Sequence, residues 1–316
     1  MLDYIIKQTR DYLESMPKKD RKKKGQFFTS PETARYMARM FDLKDVPKHI
    51  SILDPGSGTG ILAVALVEYL IGKVDTIELT CYETDPDVLP ILKANLVHVK
   101  EQCGETKLEY YVVEQDYLLS QADDFEGLLT SHVNPKKYDL IIGNPPYLRV
   151  MRDNPAAMSM PTVVHGAPNL YFLFASMSVF NLKDNCEMVY IIPRSWTSGA
   201  YFAAFREYFF STGVIEHIHL FVSRDRVFDS ENVLQETIIL KVRKTQKKPK
   251  TVLITSSNGN KDFEAITKMV VPYESVVCGP EHYVFMPTNQ DEIDVIQQIN
   301  RYTQTMPDIG IRMKTG

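Results

Sequence analysis

Asn144-Pro145-Pro146-Tyr147 brings together an amide, a fixed carbonyl and an aromatic ring. Those are the parts needed to grip a planar amine. The Asn144 amide oxygen and the Pro145 backbone carbonyl can both accept hydrogen bonds from one exocyclic NH2. Tyr147 can stack on the ring that carries it. Consecutive prolines fix φ and rule out a helix, so these groups sit on a stiff loop. Ahead of them, Leu140-Ile141-Ile142 reads as a buried strand, ended at Gly143 by a tight turn. A bare proline cluster is also an ordinary turn; the apolar strand before it and Tyr147 after it favour a binding loop.

A second set of groups lies upstream. Ser51-Ile52-Leu53 reads as a strand, and Asp54-Pro55-Gly56-Ser57-Gly58-Thr59-Gly60 as a turn into an apolar helix over residues 61–66. Glycines at alternate positions, Gly56, Gly58 and Gly60, let a ligand approach the backbone where strand passes to helix. The Asp54 carboxylate would repel a pyrophosphate and suits a ligand ammonium. Glu83 ends the next strand, where an acid can bridge two ribose hydroxyls. A third strand, residues 110–113, leads to Asp116 and Tyr117. Asp116 can accept from an adenine amino group while Tyr117 covers the ring. Either acid alone is an ordinary helix cap. Behind successive strands, with the glycine turn first, they favour a nucleoside site.

The remaining elements must hold these loops in place. Leu2, Ile5, Ile6, Leu13 and Met16 share one face of a short amphipathic helix over residues 2–16. Six basic residues in seven follow at 18–24 and run into Gly25-Gln26-Phe27-Phe28-Thr29-Ser30-Pro31. Ser30 is a good N-cap and Pro31 a good first helical residue; Ala34, Met37, Ala38 and Phe41 continue at helical spacing. The start of that helix can hold a carboxylate. Residues 148–168, with Pro155, Pro161, Gly166 and Pro168, read as a long loop, either a lid or a DNA-contacting arm. A helix at 169–180 and strands at 188–193 and 215–221 come next. The strand at 236–242 should close an antiparallel hairpin at the sheet edge. Residues 241–250 hold six basic residues in ten, and the domain boundary is expected there. That divides the chain into a catalytic domain, 1–245 (with the N-terminal helix and basic linker, 1–24), and a small C-terminal segment, 246–316. The segment shows weaker strands at 252–255 and 283–285 and a helix near 289–302.

Composition excludes several classes. With 316 residues, 44% hydrophobic and 24% charged, the chain is an ordinary globular one. No apolar run approaches a membrane span and no signal peptide is present, so a cytoplasmic protein is expected. Cys81, Cys103, Cys186 and Cys278 are scattered and read as reduced thiols; no metal site is expected. A net charge of −4 restricts any nucleic-acid contact to local patches.

In this order, the pieces resemble the N6-adenine-specific DNA methyltransferases of restriction-modification systems. The likeness covers roughly residues 20–245, in the arrangement with the cofactor half first, the catalytic half second and target recognition last. The resemblance implies S-adenosylmethionine as cofactor. Gln26, Phe27 and Thr29 look like the motif touching its methionine part, and Asp54 to Gly60 is similar to the glycine motif. Glu83 would be the ribose ligand, Asp116 and Tyr117 the adenine contact, with Asn144 also reaching the cofactor. Asn144 to Tyr147 is similar to the catalytic tetrapeptide, and Phe228 is a looser match to the aromatic that stacks on the flipped base.

The fold so implied is α/β: a seven-stranded, mostly parallel Rossmann-like sheet, helices on both faces and one antiparallel edge strand. The implied activity is methylation of adenine N6 in DNA, with the base flipped out of the duplex. The implied partners are DNA and a restriction endonuclease or recognition module. Alternatives are methylation of an RNA adenine or a protein glutamine, since related enzymes share the tetrapeptide. A non-catalytic DNA-binding specificity subunit is a third. A sizeable recognition domain usually follows in this family, whereas residues 251–316 are all that follow the basic linker here. The expectation is a truncated gene product or a catalytic fragment.

Overall fold

A computed structural model describes residues 1–15, 28–44, 46–127, 135–166, 168–222, 236–302, 304 and 306–311. The basic run at 18–24, Gln26, Phe27 and Phe228 lie outside the described residues.

The centre of the molecule follows from its most apolar segments. Strand β4 (Tyr138–Gly143) is buried at every position, the mark of a strand covered on both faces. Helix α3 (Ile61–Leu70) is apolar all round and buries eight of its ten residues, so it lies against the sheet rather than over solvent. Helix α2 (Pro31–Arg39) is amphipathic and buries Ala34, Met37 and Ala38; Ser30 caps it, accepting from Thr33 N–H at 3.2 Å. Helix α1 (Leu2–Ser15) packs through Leu2, Ile5, Thr9 and Tyr12. Thr9 is tolerated in that seam because its hydroxyl bonds to Ile5 O and to Thr59 Oγ1, at 2.8 and 2.6 Å.

The other strands of the main sheet are β1 (His49–Pro55), β2 (Thr76–Tyr82), β3 (Lys107–Val113), β5 (Leu182–Pro193), β6 (Val214–Phe221), β7 (Thr237–Arg243), β8 (Thr251–Ser257) and β9 (Thr267–Pro272). Helices α4 (Leu89–Glu101), α5 (Tyr117–Phe125), α6 (Pro155–Met158), α7 (Leu170–Asn181) and α8 (Ala203–Thr212) connect them. One sheet runs β3-β2-β1-β4-β5-β7-β6-β8-β9. Strands β1 to β5 pair parallel, whereas β7 is antiparallel to both β5 and β6. The chain moves outward from β1 to β3, then returns to lay β4 on the other side of β1. Strand order reverses there, and the loops leaving the carboxyl ends of β1 and β4 part to leave a crevice. Asp139 fastens the far end of β4. It accepts from Ser51 N–H at 2.8 Å and pairs with Lys183 Nζ at 2.8 Å.

Two expectations about the sheet are corrected. Among the described residues it has nine strands, not seven, and the β6–β7 hairpin is interior. Strand β8 pairs parallel to the outer edge of β6, and β9 adds an antiparallel edge beyond it. The sheet thus continues past residue 245, because β8 places Val252 and Ile254 in the core. Residues 148–168 hold more structure than a bare loop: α6 and a 3-10 turn at Pro161–Val163 bury Ala156, Ala157, Met160 and Val163. Their ends are clamped by Val150 N–H to Pro168 O, 3.0 Å, and Leu170 N–H to Leu148 O, 2.9 Å.

Candidate functional site

Where β1 ends, the Gly56 and Ser57 N–H groups donate back to Tyr82 O at 2.9 and 2.8 Å. This bends the turn across the end of β2. Gly56 and Gly58 have φ of 85° and 55°, a region that L side chains rarely enter, and both line a cavity of about 180 Å³. Gly60, φ 90°, ends the turn as the N-cap of α3.

Glu83 at the end of β2 also faces this cavity and is nearly buried. Its Oε1 accepts from Thr84 and Asp85 N–H at 2.7 and 2.8 Å, and its Oε2 from Gly58 N–H at 2.8 Å. A carboxylate offers about four lone-pair sites, and these three bonds use three of them. The acid therefore shapes the glycine turn as well as being available to a ligand hydroxyl. The structure puts Asp54 behind the wall instead. It is 1% exposed, and its Oδ2 accepts from Ala63 N–H at 3.2 Å, capping α3 from below. Its Oδ1 is buried without a hydrogen-bond partner. Burial pushes the carboxyl up to about 8; the Ala63 bond opposes this and the nearby Glu83 charge adds to it.

Asp116 and Tyr117 form the wall after β3. Asp116 caps α5, accepting from Leu119 N–H at 3.0 Å. The buried Tyr117 ring lies edge-on to Tyr82 at 5.1 Å and tilted against Phe174 at 5.5 Å, and its hydroxyl donates to Asn181 Oδ1 at 2.9 Å. Phe174, on α7, is a wall residue that periodicity did not reveal, since α7 is apolar on every face. Phe28 is another, lying inside the motif that nominated Thr29.

The loop after β4 closes the cavity. Asn144 and Pro146 line it, and Pro145 is buried beside them. The Asn144 amide nitrogen donates to Thr29 Oγ1 at 3.1 Å, which holds the plane of the amide. Tyr147 lies in the core, not on the wall: its hydroxyl donates to Ile191 O at 2.9 Å and its ring meets Tyr171 edge-on at 6.4 Å. Gly143 belongs to β4 and has no left-handed φ, so the prolines rather than the glycine turn the chain.

One cavity thus joins a glycine turn, an acid, aromatic side chains and an amide. A vicinal diol suits Glu83, and a purine suits the space between Tyr117, Phe174 and Phe28. Gly56 and Gly58 line the cavity without side chains, so a chain carrying a cationic sulfur can pass close to their backbone. The residues present fit S-adenosylmethionine. Among the described residues no cluster of His, Cys, Asp and Glu could hold a metal, and no helix is long and apolar enough to cross a membrane.

Residues 76–228 match the family model of the Eco57I restriction-modification methylase. Over 305 residues the chain is 32% identical to the type II methyltransferase M.PstI of Providencia stuartii, covering 94% of this chain and 58% of that protein. It is 28% identical over 304 residues to M.BsuBI of Bacillus subtilis, covering 94% and 59%. The chain therefore spans 58% and 59% of the length of these relatives. A structure from Listeria monocytogenes, described as a class I S-adenosylmethionine-dependent methyltransferase, aligns with a TM-score of 0.55 at 20% identity, over 74% of this chain and 67% of that one. At that identity the likeness is one of fold. Residues 76–228 are therefore similar to an Eco57I restriction-modification methylase, within a chain that resembles type II methyltransferases along 94% of its length and shares the fold of an S-adenosylmethionine-dependent methyltransferase.

Proposed function

We propose that the domain methylates the N6 amino group of adenine in DNA, as the modification activity of a restriction-modification system. The observation that carries this reading is Asn144, fixed by Thr29 at the mouth of the cavity that Glu83 and the glycine turn line. The names of the relatives, type II methyltransferases, support it.

Glu83 and the turn hold the cofactor's ribose and backbone-facing side, and Tyr117 and Phe174 hold its purine. When bound, S-adenosylmethionine supplies a methyl group on positively charged sulfur; transfer to N6 releases one proton and leaves a neutral thioether. Asn144 Oδ1 and the Pro145 carbonyl accept the two N–H bonds of the target amine. Those contacts draw the nitrogen lone pair out of conjugation with the ring. Holding the amine in line supplies much of the rate, and the bonds to Asn144 and Pro145 grow stronger as the nitrogen becomes positive. The target base leaves the duplex to reach this loop.

The test incubates the chain with methyl-labelled cofactor and duplex DNA, RNA or total protein, followed by digestion to nucleosides. Label in N6-methyl-2′-deoxyadenosine from DNA is expected. Label in RNA or protein alone, or no transfer by cofactor-bound protein to any adenine-containing duplex, overturns the reading.

A further inference from the structure

Gly143 and Tyr190 are opposite partners in the β4–β5 ladder. A Cβ built on Gly143 would lie 2.5 Å from Tyr190 Cε1 and 2.9 Å from Cζ. Because Gly143 has no left-handed φ, the backbone conformation does not demand glycine there. The tyrosine ring does: it fills the space of the missing side chain and backs the residue immediately before Asn144.

The Tyr190 hydroxyl is wholly buried and lies 2.6 Å from Ser178 Oγ, itself wholly buried on α7. Ser178 Oγ is 3.3 Å from the Tyr117 hydroxyl. Tyr117 donates onward to Asn181 Oδ1 at 2.9 Å. One polarity satisfies every member: Tyr190 donates to Ser178, Ser178 to Tyr117, and Tyr117 to Asn181. Asn181 completes the chain by donating to Gln121 Oε1 and Lys136 O, each at 3.3 Å. Phe174, one turn before Ser178 on α7, lies on the cavity wall beside Tyr117.

We infer that Tyr190 is a positioning residue for methyl transfer, setting the distance between the cofactor wall at Tyr117 and the acceptor loop at Asn144 through Ser178. The inference rests on the function proposed above, because it assigns Asn144 to the acceptor. Buried hydroxyl chains of this kind specify one geometry when every group is satisfied. A loop displaced by a fraction of an ångström loses rate without losing the ligand.

The variants Tyr190→Phe, Ser178→Ala and the double variant test it, with Asn144→Ala as reference. Tyr190→Phe keeps the ring against Gly143 and leaves Ser178 with Tyr117 as partner, so the fold is preserved. Three quantities are measured: single-turnover transfer, cofactor affinity by calorimetry, and amide hydrogen exchange of the 143–148 peptide. Each single variant is expected to slow transfer by about tenfold and to speed exchange of that peptide, with cofactor affinity unchanged. The double variant is expected to be no slower than the worse single one, since both cut one chain. Wild-type transfer and exchange in Tyr190→Phe, or losses that multiply in the double variant, overturn the positioning role. If Asn144→Ala transfers at the wild-type rate, the functional reading falls, and the inference with it. If Asn144→Ala is inactive while Tyr190→Phe is unaltered, the positioning role alone falls.

Discussion

The Asn144 amide and the Thr29 hydroxyl meet at 3.1 Å, joining the loop after β4 to the residue before the cap of α2. Thr29 is buried, and this bond fixes which way the amide faces. Asn144→Ala removes an acceptor for the target amine and leaves the glycine turn and Glu83 in place. Methyl transfer should fall by at least about a hundredfold, as when one preorganised contact to a transition state is lost. Cofactor affinity should change little. Thr29→Val keeps the shape but removes this bond; losing one bond of about 1 kcal/mol should slow transfer roughly fivefold. Single-turnover assays beside calorimetry check both.

Glu83 holds three backbone N–H groups of the turn and its neighbours, from Gly58, Thr84 and Asp85. Glu83→Ala orphans all three and removes the acceptor for a ligand hydroxyl. Cofactor binding should weaken by about 1–3 kcal/mol, and the melting temperature should drop as well. Glu83→Gln, which keeps a single carbonyl acceptor, should lie between the two. Equal affinity in wild type and Glu83→Ala would take Glu83 out of the site.

Much of this arrangement was legible because it depends on local chemistry. Alternate glycines, an acid at each strand end and paired prolines constrain the backbone wherever they occur. Thr29, Gly56, Gly58, Glu83, Asp116, Tyr117 and Asn144 do converge on one cavity. The directions of buried side chains were not legible. Asp54 turns under α3 because Ala63 N–H needs an acceptor, and Tyr147 turns inward because Ile191 O offers one. Both acceptor–donor matches are made across the fold and leave no trace in spacing. The same holds for β8, whose partner is the edge of β6 and whose pattern alone does not name it. Gly143 read as a turn; its reason is the Tyr190 ring, far away in sequence.

Two histidines on β6 make stability sensitive to acid. His217 Nε2, His219 Nδ1 and the Tyr36 hydroxyl lie 2.8, 2.9 and 2.9 Å from Thr255 Oγ1. His219 Nε2 is 3.0 Å from Ser257 Oγ, which donates to Gly259 O at 2.9 Å. His219 therefore donates from Nε2 and accepts at Nδ1, which requires a neutral ring. Burial lowers His217 to about 4, with Lys241 and Lys268 adding, and lowers His219 to about 3, with His217 adding and Asp262 opposing. In the unfolded chain both take protons near pH 6.5. The unfolded state thus binds more protons below that pH, and stability is lost as pH falls from about 6.5 through 4 to about 3. Denaturant unfolding at pH 5 and 7.5 should show a smaller difference for His219→Asn than for wild type. An identical pH dependence would mean that His219 does not control it.

Asp54 makes the opposite dependence at higher pH. Burial holds its carboxyl protonated up to about pH 8, whereas an unfolded aspartate ionises near pH 3.9. Between those values the folded state keeps a proton that the unfolded state has lost. Its contribution to stability is therefore complete below about pH 4 and declines as pH rises through 8. Asp54→Asn is neutral throughout and keeps a carbonyl for Ala63 N–H. Relative to wild type, the variant should gain stability steadily from pH 4 to 8 and level off above that. Because Asp54 lies behind the cavity wall, its cofactor affinity at pH 6 should stay close to wild type. Calorimetry and denaturant unfolding across this range separate the two roles. A collapse of affinity with no change in the pH slope would return Asp54 to the ligand ammonium and remove it as the cap of α3.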